Sequence, residues 1–265
     1  MQGRVLIVAG SDSGGGAGIQ ADIKAVTMMG AYAATAVTAL TAQDTVAVHE
    51  VFPVPPAFVA KQIAVVLDDI GADCIKIGML ATAPIIQAVA DALDAHGPAI
   101  PRVVDPVMVA TSGGRLLADD AVGALKARLI QGAAVVTPNI PEAEVLTGRA
   151  IAGEADMVEA AKEIIGMGAR AVVMKGGHLP ARRLVDLLVT AEGITRFESN
   201  KIDSASTHGT GCTLASAIAA GVAQNMPLEK AVARARDYVW RAIQLAPGFG
   251  HGHGPLNHID AAIGR

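Results

Sequence analysis

Short runs rich in β-branched residues alternate with longer Ala-rich stretches of helical spacing along almost the whole chain, and this alternation limits the fold more than any other feature. Arg4–Ala9 reads as a buried strand, followed by a Gly-rich loop and a helix from about Gly18 to Met29. Tyr32–Thr41 reads as a second strand, ending at Gln43. Pro56–Ile70 carries Phe58, Val59, Ile63, Val66, Leu67 and Ile70 at helical spacing. Cys74–Ile77, Val103–Asp105, Ala134–Thr137 and Ala171–Lys175 have strand length, and helical patterns fill the gaps at Pro84–His96, Asp119–Ile130 and Ala155–Met167. Such a βαβα rhythm predicts a mainly parallel sheet with helices on both faces. Leu184–Val189 and Ile194–Ser199, separated by Thr-Ala-Glu-Gly, predict a hairpin that adds a small antiparallel edge. Two helices, from about Gly211 and Pro227, then close the chain. No repeat or long linker divides residues 1–265, so one domain is expected.

The core of such a fold must here be aliphatic, because aromatics are only 3% of a chain that is 52% hydrophobic. The few aromatics and a net charge of −4 also disfavour a nucleic-acid partner, which needs a basic surface and stacking platforms. The five apolar residues Val5–Ala9 are too few for a signal-peptide core, and no run of about 18 apolar residues follows. A cytoplasmic protein without a membrane partner is therefore expected. The only cysteines, Cys74 and Cys212, form neither a CxxC pair nor a zinc-ligand cluster.

Polar residues gather where a parallel sheet binds ligands, beyond the carboxyl ends of its strands. Gly10-Ser11-Asp12, Gln43-Asp44, Lys76-Ile77-Gly78-Met79, Asp105-Pro106, Asn139-Ile140-Pro141-Glu142 and Lys175-Gly176-Gly177-His178 all fall there. The sharpest signal is Thr207-His208-Gly209-Thr210-Gly211-Cys212 before the apolar helix Thr213-Leu214-Ala215. Glycines let backbone N–H groups turn toward a ligand, and the helix amino end adds partial positive charge, so Gly209, Thr210 and Gly211 predict a cradle for a transferring phosphate. The same residues also fit a turn that merely starts a helix. Cys212 reads equally as a thiol whose pKa the helix lowers, able to take a proton from an attacking hydroxyl, and as a small packing residue.

Asp105 and Glu142 are candidate partners of Mg²⁺ held through water, since Mg·ATP chemistry uses one or two carboxylates plus phosphate oxygens. Asn139 adds neutral hydrogen bonds, and Lys175 could neutralise phosphates. Asn139–Glu142 fits a capped helix start as well, with Pro141 in the first turn. Gly16-Ala17-Gly18-Ile19-Gln20-Ala21 matches GxGxxA, but its glycines come late after the strand and no convincing acidic ribose partner follows. GxxxxGK[ST] is absent, which excludes a P-loop kinase.

Taken together, these segments resemble the hydroxymethylpyrimidine/phosphomethylpyrimidine kinases of thiamine biosynthesis. The matching stretches are Gly10–Asp22, Ala39–Gln43, Lys76–Met79, Asp105–Met108, Thr137–Ala143, Lys175–His178, His208–Cys212 and the terminal Gly250–Pro255, and they occur in the same order over nearly the whole length. The resemblance implies a ribokinase-like fold, ATP and Mg²⁺, a homodimer, and two successive phosphorylations of a small pyrimidine alcohol. It implies that Gln43 binds the pyrimidine with Asp22, Gly10, Met79 and Val107, and that Thr207 belongs to the nucleotide site. Cys212 would occupy the place of the catalytic Asp of related sugar kinases.

Two positions depart from the family pattern. Thr111 stands where a flap lysine is usual, and Arg236 where a lysine is common. Thr111→Lys is accordingly expected to raise turnover of the monophosphate more than that of the alcohol, with equal gains on both substrates counting against the idea. Pyridoxal/pyridoxine kinase, a non-catalytic pyrimidine-binding relative and a dinucleotide-dependent oxidoreductase remain as alternatives. His251 and His253 lack carboxylate partners in their Gly-rich tail, which favours packing or capping over metal binding.

Overall fold

The computed structural model describes residues 1–110, 113–114, 116–118, 120–177 and 183–263. Nine strands form one sheet in the order β3-β2-β1-β4-β5-β6-β7-β8-β9. They are β1 (Arg4–Asp12), β2 (Tyr32–Gln43), β3 (Val48–Pro53), β4 (Cys74–Ile77), β5 (Arg102–Val104), β6 (Val135–Val136), β7 (Ala171–Lys175), β8 (Arg183–Thr190) and β9 (Ile194–Asn200). The strands from β2 through β7 run parallel, while β3 pairs antiparallel with β2, and β8 and β9 extend the other end as a hairpin.

Period-two alternation divides the side chains of β1 between two layers. Leu6 and Val8 pack with α2 (Pro56–Asp69), α3 (Ala83–His96), α4 (Ala121–Leu125), α5 (Ile140–Thr147) and α6 (Glu154–Gly166). Val5, Ile7 and Ala9 face the opposite layer of α1 (Gly18–Met28), α7 (Thr210–Ala223), α8 (Leu228–Gln244) and α9 (His258–Ile263). Removing an aliphatic side chain of this size from water contributes about 1.5–3 kcal/mol, so the doubly covered strands anchor the fold.

The expected elements are present, with four differences. Antiparallel pairing occurs at both ends of the sheet, because Val48–Pro53 forms an edge strand the pattern did not announce. Its side chains are mostly exposed and it ends in Pro53, both normal for an edge. The stretch expected as one helix to Ile130 is α4 followed by a π-helical turn, Lys126–Ile130, and its expected first residue, Asp119, lies outside the described residues. A third helix, α9, follows the two expected to close the chain. β1 also runs three residues beyond Ala9, with a register shift between Ala9 and Ser11, and so carries Asp12 to the strand's end.

Candidate active site

Most of the polar strand ends expected to cluster line one cleft of about 650 Å³ at the carboxyl edge of the parallel strands. At one end, Asp12 organises the Gly-rich loop. Its Oδ1 accepts the Gly14 N–H at 2.8 Å, and its Oδ2 accepts those of Gly16 and Ala17 at 3.0 and 2.8 Å. The His208 ring lies against the same carboxylate, Nε2 to Oδ2 2.9 Å. Burial works against the Asp12 charge, but His208 and these N–H groups hold the carboxyl below its usual range. Gln43 sits beside this cluster, its amide 3.1 Å from His208 Nε2. Gly10 and Met79 pack together nearby, where a Cβ on Gly10 would lie 3.1 Å from Met79 Sδ. Val107 also lines the cleft.

Asp22 does not line the cleft. It is fully buried behind Lys76, whose Nζ donates to both carboxylate oxygens at 2.8 Å, and Ser216 Oγ donates to Oδ1 at 2.7 Å. The expectation of a substrate contact is thereby corrected: Asp22 is saturated by Lys76 and Ser216 and acts on the cleft only through Lys76, which does line it. Burial disfavours the Lys76 charge, but the paired Asp22 more than offsets this and holds its pKa above the ordinary value.

Cys212 faces the cleft from the first turn of α7. Of the two readings left open for Cys212, the lowered pKa is not the one favoured. Burial pushes the thiol up to about 12, and the opposing pull of Lys76 and the Gly18 N–H is too weak to reverse it. In the ligand-free protein Cys212 is therefore a thiol.

Asp105, Lys175 and Glu142 form the next cluster. Lys175 Nζ donates to Asp105 Oδ1 at 3.0 Å and lies 3.7 Å from Glu142 Oε2, while Thr137 Oγ1 donates to Asp105 Oδ1 at 2.9 Å. Asn139 and Glu142 form a reciprocal capping box, with the Glu142 N–H to Asn139 Oδ1 at 2.9 Å and the Asn139 N–H to Glu142 Oε2 at 2.7 Å. The capping reading of this motif is thus realised, and Asn139 and Glu142 line the cleft as well.

Burial pushes Glu142 up to about 7, against the pull of Lys175 and with the push of Asp105. A carboxyl whose folded pKa is raised binds more protons folded than unfolded, so its ionisation lowers stability as pH rises from about 4.5 toward 7. Glu142→Gln keeps an acceptor for the Asn139 N–H without the charge. It should stabilise the ligand-free protein by on the order of 1–3 kcal/mol at pH 8 and by little at pH 5, read from thermal unfolding across that range. A pH-independent difference would contradict this origin.

The Gly209 loop completes the cleft. Gly209 caps α7 with φ +79°, and a Cβ there would lie 1.9 Å from the Gly16 carbonyl oxygen. A Cβ on Gly16 would in turn lie 2.4 Å from the His208 ring. The two Gly-rich loops, far apart in sequence, thus touch backbone to backbone. Gly211 approaches Lys175, where an added Cβ would be 3.2 Å from Nζ. The first N–H groups of an α-helix have no intrahelical acceptor, so this loop presents donors and partial positive charge next to Lys175. Thr210 and Thr207 line the same stretch.

Several lining groups were not singled out as site residues from sequence. Asp12 and His208 stood inside quoted motifs without a role. Arg236 Nε donates to Asp186 Oδ2 at 2.7 Å and its guanidinium lies 5.4 Å from the Phe197 ring centre, and both Asp186 and Arg236 line the cleft. Trp240 and Ile243 of α8 form an apolar wall beside them. No local motif marks these residues, because β8, β9 and α8 meet only in the fold. His251 and His253 belong to a tail loop whose N–H groups bind Thr45: His251 donates to Oγ1 at 3.1 Å and His253 to the carbonyl at 2.8 Å. Thr111 and His178 lie outside the described residues.

Among the described residues no cluster of three His, Cys, Asp or Glu side chains could hold a metal, and no helix is long and apolar enough to cross a membrane. A hard cation held mainly by phosphate oxygens and water, with Asp105 and Glu142 in support, fits this donor set, whereas an all-protein cage does not.

A sheet of this topology with a Gly-lined helix start facing an Asp–Lys–Glu cluster defines a phosphotransferase-type site. Known proteins similar to this chain carry the same character. The family model for phosphomethylpyrimidine kinase matches residues 12–257. A thiamine biosynthesis bifunctional protein of Geobacter sulfurreducens is 54% identical over 98% of this chain, which spans about half (53%) of that protein. A hydroxymethylpyrimidine/phosphomethylpyrimidine kinase of Rhizobium meliloti is 47% identical over 96% of both chains. An ADP complex of Bacillus subtilis pyridoxal kinase has a TM-score of 0.91 at 35% identity over the full length of both chains. The fold is ribokinase-like, and the chain belongs to the phosphomethylpyrimidine kinase family.

Proposed function

We propose that this chain transfers the γ-phosphoryl group of ATP to the hydroxymethyl oxygen of 4-amino-5-hydroxymethyl-2-methylpyrimidine, and then phosphorylates the monophosphate to the diphosphate. The observation that carries the reading is that one cleft holds both an amide-bearing end, around Gln43, and the Gly209–Cys212 loop beside Lys175. An aminopyrimidine offers donors and acceptors that an amide can match. The adenine would lie against Trp240 and Ile243, and Lys175 and the loop N–H groups would face the phosphates.

In the reaction the substrate hydroxyl oxygen forms a bond to the γ-phosphorus while the bond to the ADP oxygen breaks. The transition state is loose, so the hydroxyl proton leaves late. To receive it, Cys212, beside Lys76, must first release its own proton to solvent once the ligands are bound. Bound Mg²⁺, supported by Asp105 and Glu142 through water, would supply charge neutralisation at the phosphates. Asn139 and Thr207 line the nucleotide half of the cleft, and Gly10, Met79 and Val107 shape the pyrimidine half.

The same reading takes residues 1–265 as one domain, supported by the continuous sheet, and the protein as a cytoplasmic homodimer. Leu40 and Phe52, paired across β2 and β3 and both at least half exposed, offer an apolar surface for a second copy. Pyridoxal kinase is the second reading, favoured by the full-length likeness to the Bacillus subtilis enzyme. Incubating the protein with Mg·ATP and the pyrimidine alcohol, with products resolved by mass, tests the proposal. Monophosphate followed by diphosphate supports it, monophosphate alone removes the second step, and no product removes the reading.

A further inference from the structure

We infer that His208 is a positioning residue that fixes the Gln43 amide with its nitrogen turned toward the cleft, so that this end of the site selects a ring carrying a hydrogen-bond acceptor there. The inference rests on the proposed function for the identity of the ring, but its geometry does not. Three side chains, each at most 9% exposed, meet at one imidazole nitrogen: Asp12 Oδ2 lies 2.9 Å and the Gln43 amide 3.1 Å from His208 Nε2.

Asp12 can only accept here. Its carboxylate already takes the N–H groups of Gly14, Gly16 and Ala17, which is the pattern of an ionised group. His208 Nε2 must therefore carry a proton and donate it, whether the ring is neutral or cationic. A protonated Nε2 cannot accept from the amide nitrogen, so the amide atom facing it has to be the Gln43 oxygen, with the single N–H shared between Asp12 Oδ2 at 2.9 Å and that oxygen at 3.1 Å. Amide orientation is set by such networks, since nitrogen and oxygen are otherwise hard to tell apart.

Turning the amide this way closes the network. The nitrogen then faces Thr41 Oγ1, about 3.5 Å from the other terminal amide atom, and Thr41 Oγ1 donates onward to the Ser11 carbonyl at 3.0 Å. One amide N–H is left over. Thr41 and Gln43 both line the cleft, so that N–H has the cleft to point into. The ring itself cannot swing away. Gly16 holds its Cδ2 edge, and the His208 backbone N–H is tied to the Gly254 carbonyl at 3.1 Å.

Two variants of equal length isolate the donor: His208→Gln keeps an N–H near the Nε2 position, and His208→Met does not. A neutral hydrogen bond of this kind is equivalent to about a tenfold change in an equilibrium constant. His208→Met should raise KM for the pyrimidine alcohol about tenfold while KM for ATP stays within about twofold, and His208→Gln should recover most of the loss. Equal effects of the two variants, or equal changes in both KM values, overturn the inference. ¹⁵N NMR of the unmodified protein decides independently of folding of the variants: a protonated Nε2 supports the inference and a bare Nε2 overturns it. A wild-type chain inert toward the pyrimidine would count against the proposed function instead, and the NMR result would still decide whether His208 holds the amide as inferred.

Discussion

Replacing Lys76 by Met should cost about 3–5 kcal/mol of unfolding free energy at neutral pH, the usual penalty for stranding one partner of a buried ion pair. Both side chains are fully inaccessible, and Lys76 supplies two of the hydrogen bonds that satisfy Asp22, leaving only Ser216 when it is gone. Burial already pushes the Asp22 carboxyl above its ordinary range with Lys76 opposing it, and the substitution removes the opposition. The variant's Asp22 then takes up a proton readily in the folded state, so the penalty should shrink as pH falls toward 5 and grow as pH rises. Adding Asp22→Asn to Lys76→Met should recover most of the lost stability, because the unpaired charge is then gone. Urea unfolding of the two variants at pH 5 and pH 8 reads all three outcomes. A penalty independent of pH, or no rescue in the double variant, would show that Lys76 matters through packing rather than charge.

The second large effect is expected at Gly209. An alanine there must adopt φ +79° and place its Cβ 1.9 Å from the Gly16 carbonyl oxygen, so one of the two touching loops has to move. The left-handed conformation alone costs about 1–2 kcal/mol, and displacement of fixed N–H donors of this kind typically lowers kcat by about 10²–10³. Gly209→Ala is therefore expected to fold with reduced stability and to lose about 10²–10³ in kcat, with a much smaller change in KM for the pyrimidine. Unchanged turnover would mean that the loop does not hold the transferring phosphoryl. Gly113, also at positive φ but with no described residue within 4 Å of an added Cβ, serves as the control, since alanine there meets chiefly the conformational cost.

How far the sequence reveals these features depends on the kind of signal each residue leaves. Asp105, Glu142, Lys175 and Gly209–Cys212 are legible because each follows a strand of recognisable length or opens a helix, and parallel topology sends all such ends to one edge. Asp22 misleads for the same reason that its motif stands out. It lies in the Gly-rich loop-and-helix segment, but on α1 it points inward to a lysine from β4, and only the packing of α1 and α7 on the sheet reveals that. The thiol of Cys212 follows its surroundings, because desolvation, with Asp22 and Asp105 nearby, outweighs the pull of Lys76 and the Gly18 N–H.

The remaining differences are tertiary. Strand β3 lacks a period-two pattern, its only partly buried residues being Val48 and Val51, and its partner β2 supplies the reason it forms. Asp186, Arg236 and Trp240 come from a sheet strand and a helix about fifty residues further on, and meet without any shared motif. The role of His208 needs the coincidence of Asp12 and Gln43 at one nitrogen, which no spacing in the chain announces.

The amide end of the cleft should accept a pyrimidine alcohol ahead of a pyridine one, and the proposed function stands or falls on that preference. A competition assay tests it most directly: equal concentrations of 4-amino-5-hydroxymethyl-2-methylpyrimidine and pyridoxal, limiting Mg·ATP, and both phosphorylated products quantified by mass in the same tube. Predominant pyrimidine phosphate is the predicted result, and predominant pyridoxal phosphate would contradict it.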